Sequence, residues 1–116
     1  MTTVQDLQKQ FHCCMPLFIA LGDKVRLSIV ELLCEEAIKT SGPQGTIDFE
    51  GNAMNVNEIT RRTSLSRPAI SHHLKILKDA GLVGVRQDGT ANYYYLTLRD
   101  STRSLMELGY RLEEFM

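Results

Sequence analysis

The apolar positions of this chain recur first at helical spacing and later in alternation, and the change of period divides it into helices and a hairpin. From residue 3 to 14 a polar start gives way to Leu7 and Phe11, the spacing of a short helix. Pro16 cannot easily continue a helix but is accepted in a first turn. "MPLFIAL" (15–21) is therefore a second short helix or a kinked extension of the first. Gly22 ends it, and Asp23 is placed to cap a helix over about 23–37. The apolar positions Leu27, Val30, Leu33, Cys34 and Ala37 mark that helix as central. Three glycines and a proline then break the pattern across residues 38–54, an exposed and mobile connecting insert in which "TIDF" alternates as a short strand would.

The helical period returns at "NVNE", where Asn55 caps and Glu58 reaches back. A short helix follows over 56–63, with Val56 and Ile59 inward. After the turn "TSLS", Ser66 caps a helix over 67–80, with Pro68 in its first turn and Gly81 as its stop. "LVGVRQ" and "ANYYYLTL" then alternate on either side of "DGT", the signature of a β-hairpin. Asp100 or Ser101 caps a last helix over 101–115. This order predicts a mostly α fold with a small β-hairpin wing, a winged helix–turn–helix.

The faces of helix 67–80 say what it is for. At about 100° per residue, Ile70, His73, Leu74 and Leu77 share one side, and Pro68, Ser71, His72 and Lys75 the other, with Arg67 and Lys78 at a flank. Burying the first side points hydrogen-bond donors outward, as a helix in the DNA major groove requires. The candidate DNA-binding residues are Ser66, Arg67, Pro68, Ser71, His72 and Lys75, with Arg86 and Gln87 from the wing. Thr90 and Asn92 also lie near the wing tip. His72 and His73 are neighbours on a helix and cannot chelate one metal together. His73, on the apolar side, reads as a packed, hydrogen-bonded histidine. Tyr94 sides with Leu96 and Leu98, so packing rather than base stacking accounts for at least one of the three consecutive tyrosines.

Charge supports the same stretch. The 116 residues, enough for one domain spanning 1–116, have a net charge of −1, yet residues 61–86 carry six Lys and Arg against one acidic residue. Three cysteines make no disulfide framework, no leader-like segment opens the chain, and no apolar run reaches the ~18 residues of a membrane span. These features predict a cytoplasmic protein with reduced thiols. No nucleophile–base pair, phosphate loop or catalytic metal spacing points to an enzyme.

"LFIALGDKVRLSIVELL", "LSRPAISHHLKILKDAGLV" and "GVRQDGTANYYYLT" resemble the ArsR/SmtB group of bacterial winged-helix repressors over about residues 15–99. The resemblance implies a homodimer on an imperfect palindrome, released from double-stranded DNA by a small inducer, often a metal ion or arsenite. An apolar stripe on the last helix, Leu105, Leu108, Gly109, Leu112 and Phe115, with Leu7, Phe11 and Phe18 from the first, is the candidate dimer interface; alternatively that helix packs on its own domain. The chain departs from the family in its long 38–54 connection and in Thr90, where a basic wing residue is common. It also lacks a cysteine in helix 56–63 and a histidine in the last helix, so two familiar metal sites of the family cannot form. Cys13 and Cys14 remain as candidates for a soft metal or metalloid, against the alternative that all three cysteines are small buried hydrophobes, which the place of Cys34 in line with Leu27, Val30 and Ala37 favours for it. The competing functional class is a winged helix that binds a protein partner without specific DNA binding.

Overall fold

In the computed structural model, which describes residues 1–40 and 45–116, five helices surround a three-stranded antiparallel sheet. The first helix, α1 (Val4–Leu21), opens on a capping box between Thr3 and Asp6 and runs unbroken through Pro16, so the two apolar segments form one helix. Pro16 lacks the N–H that would bond the His12 carbonyl, and both residues lie on the exposed side of the helix. Asp23 Oδ1 accepts the amides of Val25 and Arg26 at 2.9 and 3.1 Å and starts α2 (Lys24–Thr40).

The buried face of α2 is Ile29, Leu32, Leu33 and Ala37, whereas Leu27 is 42 % exposed. The expected stripe is thus rotated: Val30 and Cys34 lie at its edge, half-buried, and Leu27 lies outside it. "TIDF" forms no strand. Asp48 instead holds a turn by accepting the Gly51 amide at 2.9 Å, and Phe49 packs against the core. The strand of this region is β1 (Met54–Asn55), with Met54 buried, so the 38–54 connection is not exposed throughout. Its stretch 41–44 lies outside the described residues.

Asn55 and Glu58 form the expected capping box of α3 (Val56–Arg61). Ser66 caps α4 (Arg67–Asp79), its Oγ accepting the Ala69 amide at 3.3 Å. Gly81, at φ 78°, closes α4: its amide donates to Lys78 O at 3.0 Å and that of Leu82 to Leu77 O at 2.9 Å. The chain passes directly into β2 (Val83–Asp88) and returns as β3 (Ala91–Leu96). Asp88 faces Ala91 across a two-residue turn whose first residue, Gly89, has φ 64°. β3 is central, paired with β2 on one side and β1 on the other.

The last helix, α5 (Leu98–Glu113), starts earlier than expected, after Thr97. Neither Asp100 nor Ser101 caps it. Ser101 is buried and its Oγ donates to Leu98 O at 3.1 Å within the helix. α5 packs along α1, and one apolar cluster joins α1, α2, α3, α4, β1, β2 and β3, with Leu98 and Leu105 of α5 against it. Among the described residues no helix is long and apolar enough to cross a membrane.

Candidate nucleic-acid interface

The interface is built on α4. Ile70, Leu74 and Leu77 are each fully buried, worth ~1.5–3 kcal/mol apiece, and fix which side of the helix faces out. Arg67, Pro68, Ser71, His72 and Lys75 are all exposed, as the sequence predicts. Ser66, also exposed, spends its hydroxyl on the cap. Lys75 Nζ lies 3.2 Å from Asp79 one turn on, but both side chains are largely exposed. Such a pair contributes at most ~1 kcal/mol, so the ammonium can turn to a stronger anion.

The wing lies beside this helix. Arg86 stands over the ring of its cross-strand partner Tyr93, 5.0 Å from the centroid, and 3.8 Å from Asp88, so its direction is fixed along the wing. Gln87 is exposed opposite Asn92. Tyr94 packs against the core. Two polar clefts run between wing and helix. In one, of about 420 Å³, Asn57 of α3 meets Arg67 and Ser71 of α4 and Thr90 and Asn92 of the wing. In the other, of about 440 Å³, Ser71, Lys75 and Lys78 face Gln87 and Asn92. Ser71, Asn92 and Tyr94 border both. Asn57 is the residue that sequence reasoning passed over. Its signal was its place at the start of the first helix of a helix–turn–helix, the element that crosses the phosphate backbone.

His73 is half-buried and its Nδ1 lies 3.4 Å from Arg26 Nη1, the packed and bonded histidine that its position on the apolar face predicts.

The candidate dimer residues divide. Phe11, Phe18 and Phe115 are 42 %, 45 % and 54 % exposed, and Gly109 is exposed too. Leu7, Leu105 and Leu112 are half-buried, and Leu108 is buried within the protomer. The stripe read from the sequence is therefore largely the face that α5 turns inward. The exposed large apolar residues of α5 are Met106 and Tyr110, with Phe115 and Met116 just after it, and those of α1 are Val4, Phe11, Met15, Phe18 and Ile19.

The cysteine pair is divided between surface and core. Cys13 is exposed, whereas Cys14 is fully buried with its thiol directed to the Ser104 carbonyl, 3.3 Å away. Among the described residues no three His, Cys, Asp or Glu side chains are grouped to hold a metal.

An amphipathic helix with an outward polar face, a short capped helix before it and a hairpin beside it define a winged helix–turn–helix. Residues 49–85 match the model of the family described as "Bacterial regulatory protein, arsR family". The HTH-type transcriptional regulator MJ1325 of Methanocaldococcus jannaschii is 36 % identical over 79 % of this chain and 85 % of its own. The transcriptional repressor SdpR of Bacillus subtilis is 32 % identical over 73 % and 80 %. Among solved structures, reduced HlyU from Vibrio cholerae superposes with a TM-score of 0.63 at 27 % identity, covering 94 % of this chain and 97 % of that one. The chain belongs to the ArsR family and is a DNA-binding transcriptional regulator.

Proposed function

We propose that this chain is a ligand-released repressor that acts in the cytoplasm as a homodimer on a palindromic operator, each copy a single winged helix domain. The observation that carries the reading is the pair of polar clefts between α4 and the wing, which offer the cations of α4 and the amides of the wing to one DNA groove and its flanking backbone. Ser71 and His72 face base edges. Arg67, Lys75 and Arg86 meet phosphates, with Gln87 and the first turn of α4, Ser66 to Pro68, alongside them. The exposed apolar residues of α1 and α5 supply the surface on which a second copy would dock, setting two recognition helices one DNA turn apart, ~34 Å. The name of SdpR as a repressor supports repression as the output. An inducer that releases DNA must bind the DNA-free form more tightly than the bound one.

Fluorescence anisotropy on a labelled duplex from the chain's own promoter region tests this. Affinity for the operator should exceed that for a scrambled duplex, with a log–log salt slope of about −0.9 per phosphate contact. Ser71→Ala with His72→Ala should erase the preference, and Lys75→Ala should weaken both duplexes alike. Binding to a protein partner with no salt-sensitive affinity for any duplex would favour the competing module instead.

A further inference from the structure

Arg26 of α2 joins three elements through one guanidinium. Its Nε donates to Ala20 O at 2.7 Å and its Nη2 to Ile19 O at 3.2 Å, both carbonyls in the last turn of α1. Its Nη1 lies 3.4 Å from His73 Nδ1 on α4, and 3.9 Å from Asp23 Oδ2 at the start of α2. The side chain is only 13 % exposed. The planar fork suits this task, since three donors leave in fixed directions toward three acceptors; a lysine has a single nitrogen to offer.

The rest of the hold on α4 is of another kind. Ile70, Leu74 and Leu77 press it onto the core and set which side faces out, through many contacts none of which is directional by itself. A hydrogen bond at His73 is directional. It lies on the inward side of the helix, beside His72 in sequence and between Ser71 and Lys75, so a rotation that breaks it also re-aims the outward side chains.

We propose that Arg26 is a positioning residue for DNA recognition: through His73 it ties α4 to the last turn of α1, and only the neutral imidazole completes the tie. The inference rests on the reading of α4 as the DNA-recognition helix. The chemistry of the contact fixes the protonation state. A guanidinium only donates, so Nδ1 must keep its lone pair and the proton of neutral His73 sits on Nε2. A second proton removes the acceptor and sets cation against cation. The charged groups around His73 are Arg26 and Asp23 from α2 and the neighbouring His72, whose ring centroid is 5.7 Å away; α1 presents the Ile19 and Ala20 carbonyls to Arg26. The Asp23 carboxylate favours the imidazolium, but it is engaged by the Val25 and Arg26 amides and by Arg26 itself. A doubly protonated His73 therefore lowers the discrimination between operator and scrambled DNA.

The test follows the ratio of operator to scrambled affinity from about pH 8 to pH 5.5, in the parent and in Arg26→Gln, His73→Leu and His73→Asn. Asparagine can place an amide oxygen near the position of Nδ1 without titrating. At pH 8 the Arg26→Gln and His73→Leu ratios should be about three- to tenfold below the parent, the range for one hydrogen bond, with His73→Asn close to the parent. In acid the parent ratio should fall toward that of His73→Leu while His73→Asn holds. His72 is present in the parent and in both His73 variants, so an acid response that persists in His73→Asn belongs to His72 or another group, not to the tie. Side-chain ¹⁵N NMR of the DNA-free protein supplies a second readout, with His73 expected as the Nε2–H tautomer in the parent. Should His73→Leu fail to fold, the contrast between parent and His73→Asn in acid decides alone. Parent-like ratios in Arg26→Gln and His73→Leu, or a parent and His73→Asn that respond identically to acid, overturn the tie and leave the DNA reading standing. Absence of salt-sensitive DNA binding in the parent at every pH overturns both.

Discussion

The buried Cys14 thiol stands 3.3 Å from the carbonyl oxygen of half-buried Ser104, so α1 and α5 share a hydrogen bond. Gln10 Nε2 donates to the same carbonyl at 2.9 Å. The Ser104 carbonyl, in the second turn of α5, thus receives two donors from the neighbouring helix. The arrangement makes Cys14 a packing residue and leaves Cys13, on the outer side, as the exposed thiol. A thiol reagent should modify Cys13 rapidly, half-buried Cys34 more slowly, and Cys14 only at the rate of unfolding. Mass spectrometry of the native protein after timed alkylation reads the order, and equal rates at Cys13 and Cys14 would show that the sulfur is not held as described.

Gly84 lies opposite Tyr95 in the β2–β3 ladder, and a Cβ there would stand 2.7 Å from the ring carbon Cζ and 2.9 Å from the hydroxyl oxygen. The ring covers the glycine, and its hydroxyl is hydrogen-bonded to Glu50, which with burial raises the tyrosine above its ordinary pKa. Gly84→Ala must push the ring aside and break that contact. The expected loss is ~1–3 kcal/mol of stability, as for other overpacked sites, despite the better strand propensity of alanine. Chemical denaturation measures it; an alanine variant as stable as the parent would mean that the ring moves at no cost.

What could be read from the sequence and what could not divide by distance along the chain. Ser66, the Asn55–Glu58 box and Gly81 act on residues within five positions, and each was legible. The outward face of α4 was legible too, because one helical period determines it. β1 was not: its two residues are a strand only because Tyr93 and Tyr94 arrive beside them, and neither carries an alternating pattern. The start of α5 was misplaced for a related reason. Thr97, the residue before it, sends its hydroxyl to Gly81 O at 3.0 Å and its amide to Leu82 O at 3.0 Å, contacts that anchor the helix from across the fold. Leu105 and Leu108 show the limit of periodicity, which finds an apolar stripe without saying whether the same chain or a second copy covers it. Arg26 and His73 are 47 residues apart, and no local pattern connects them.

Two helix caps set the behaviour in acid. Hydrogen bonds from the Arg26 and Val25 amides, with the Arg26 charge, lower the Asp23 pKa; those from the Thr3 amide and hydroxyl lower that of Asp6. A carboxylate whose folded pKa is depressed contributes stability that is complete above its unfolded value, ~3.9, and is lost as the pH falls through the folded value. Melting temperature should therefore fall below about pH 4 on account of these groups. Asparagine caps a helix about as well as aspartate but does not titrate. Asp23→Asn should narrow its gap to the parent, or overtake it, as the pH is lowered from 5 to 2. Parallel melting curves across that range, followed by circular dichroism, would remove Asp23 from the acid response.

Gly109 separates the two ways in which α5 can be covered. Within one protomer it is exposed, and a Cβ at this position meets nothing within 4 Å. Alanine is favoured over glycine inside a helix by ~0.5–1 kcal/mol, so in an isolated protomer Gly109→Ala should be stabilising. Met106 and Tyr110 are exposed beside it, and together with the outer face of α1 they form the apolar surface assigned above to a second copy. If a partner's side chains lie against the glycine, the added methyl group occupies space that the partner needs. The proposed dimer then predicts opposite signs for two measurements on one variant: a higher helical stability at dilutions where the protomer is free, and a weaker association constant by sedimentation equilibrium. Operator binding should weaken in step with association, because two half-sites are read together only by the dimer. A Gly109→Ala protein that is more stable at every concentration and associates like the parent would place the dimer contact elsewhere, and a parent that sediments as a monomer at micromolar concentration would leave α5 covered by α1 of its own chain alone.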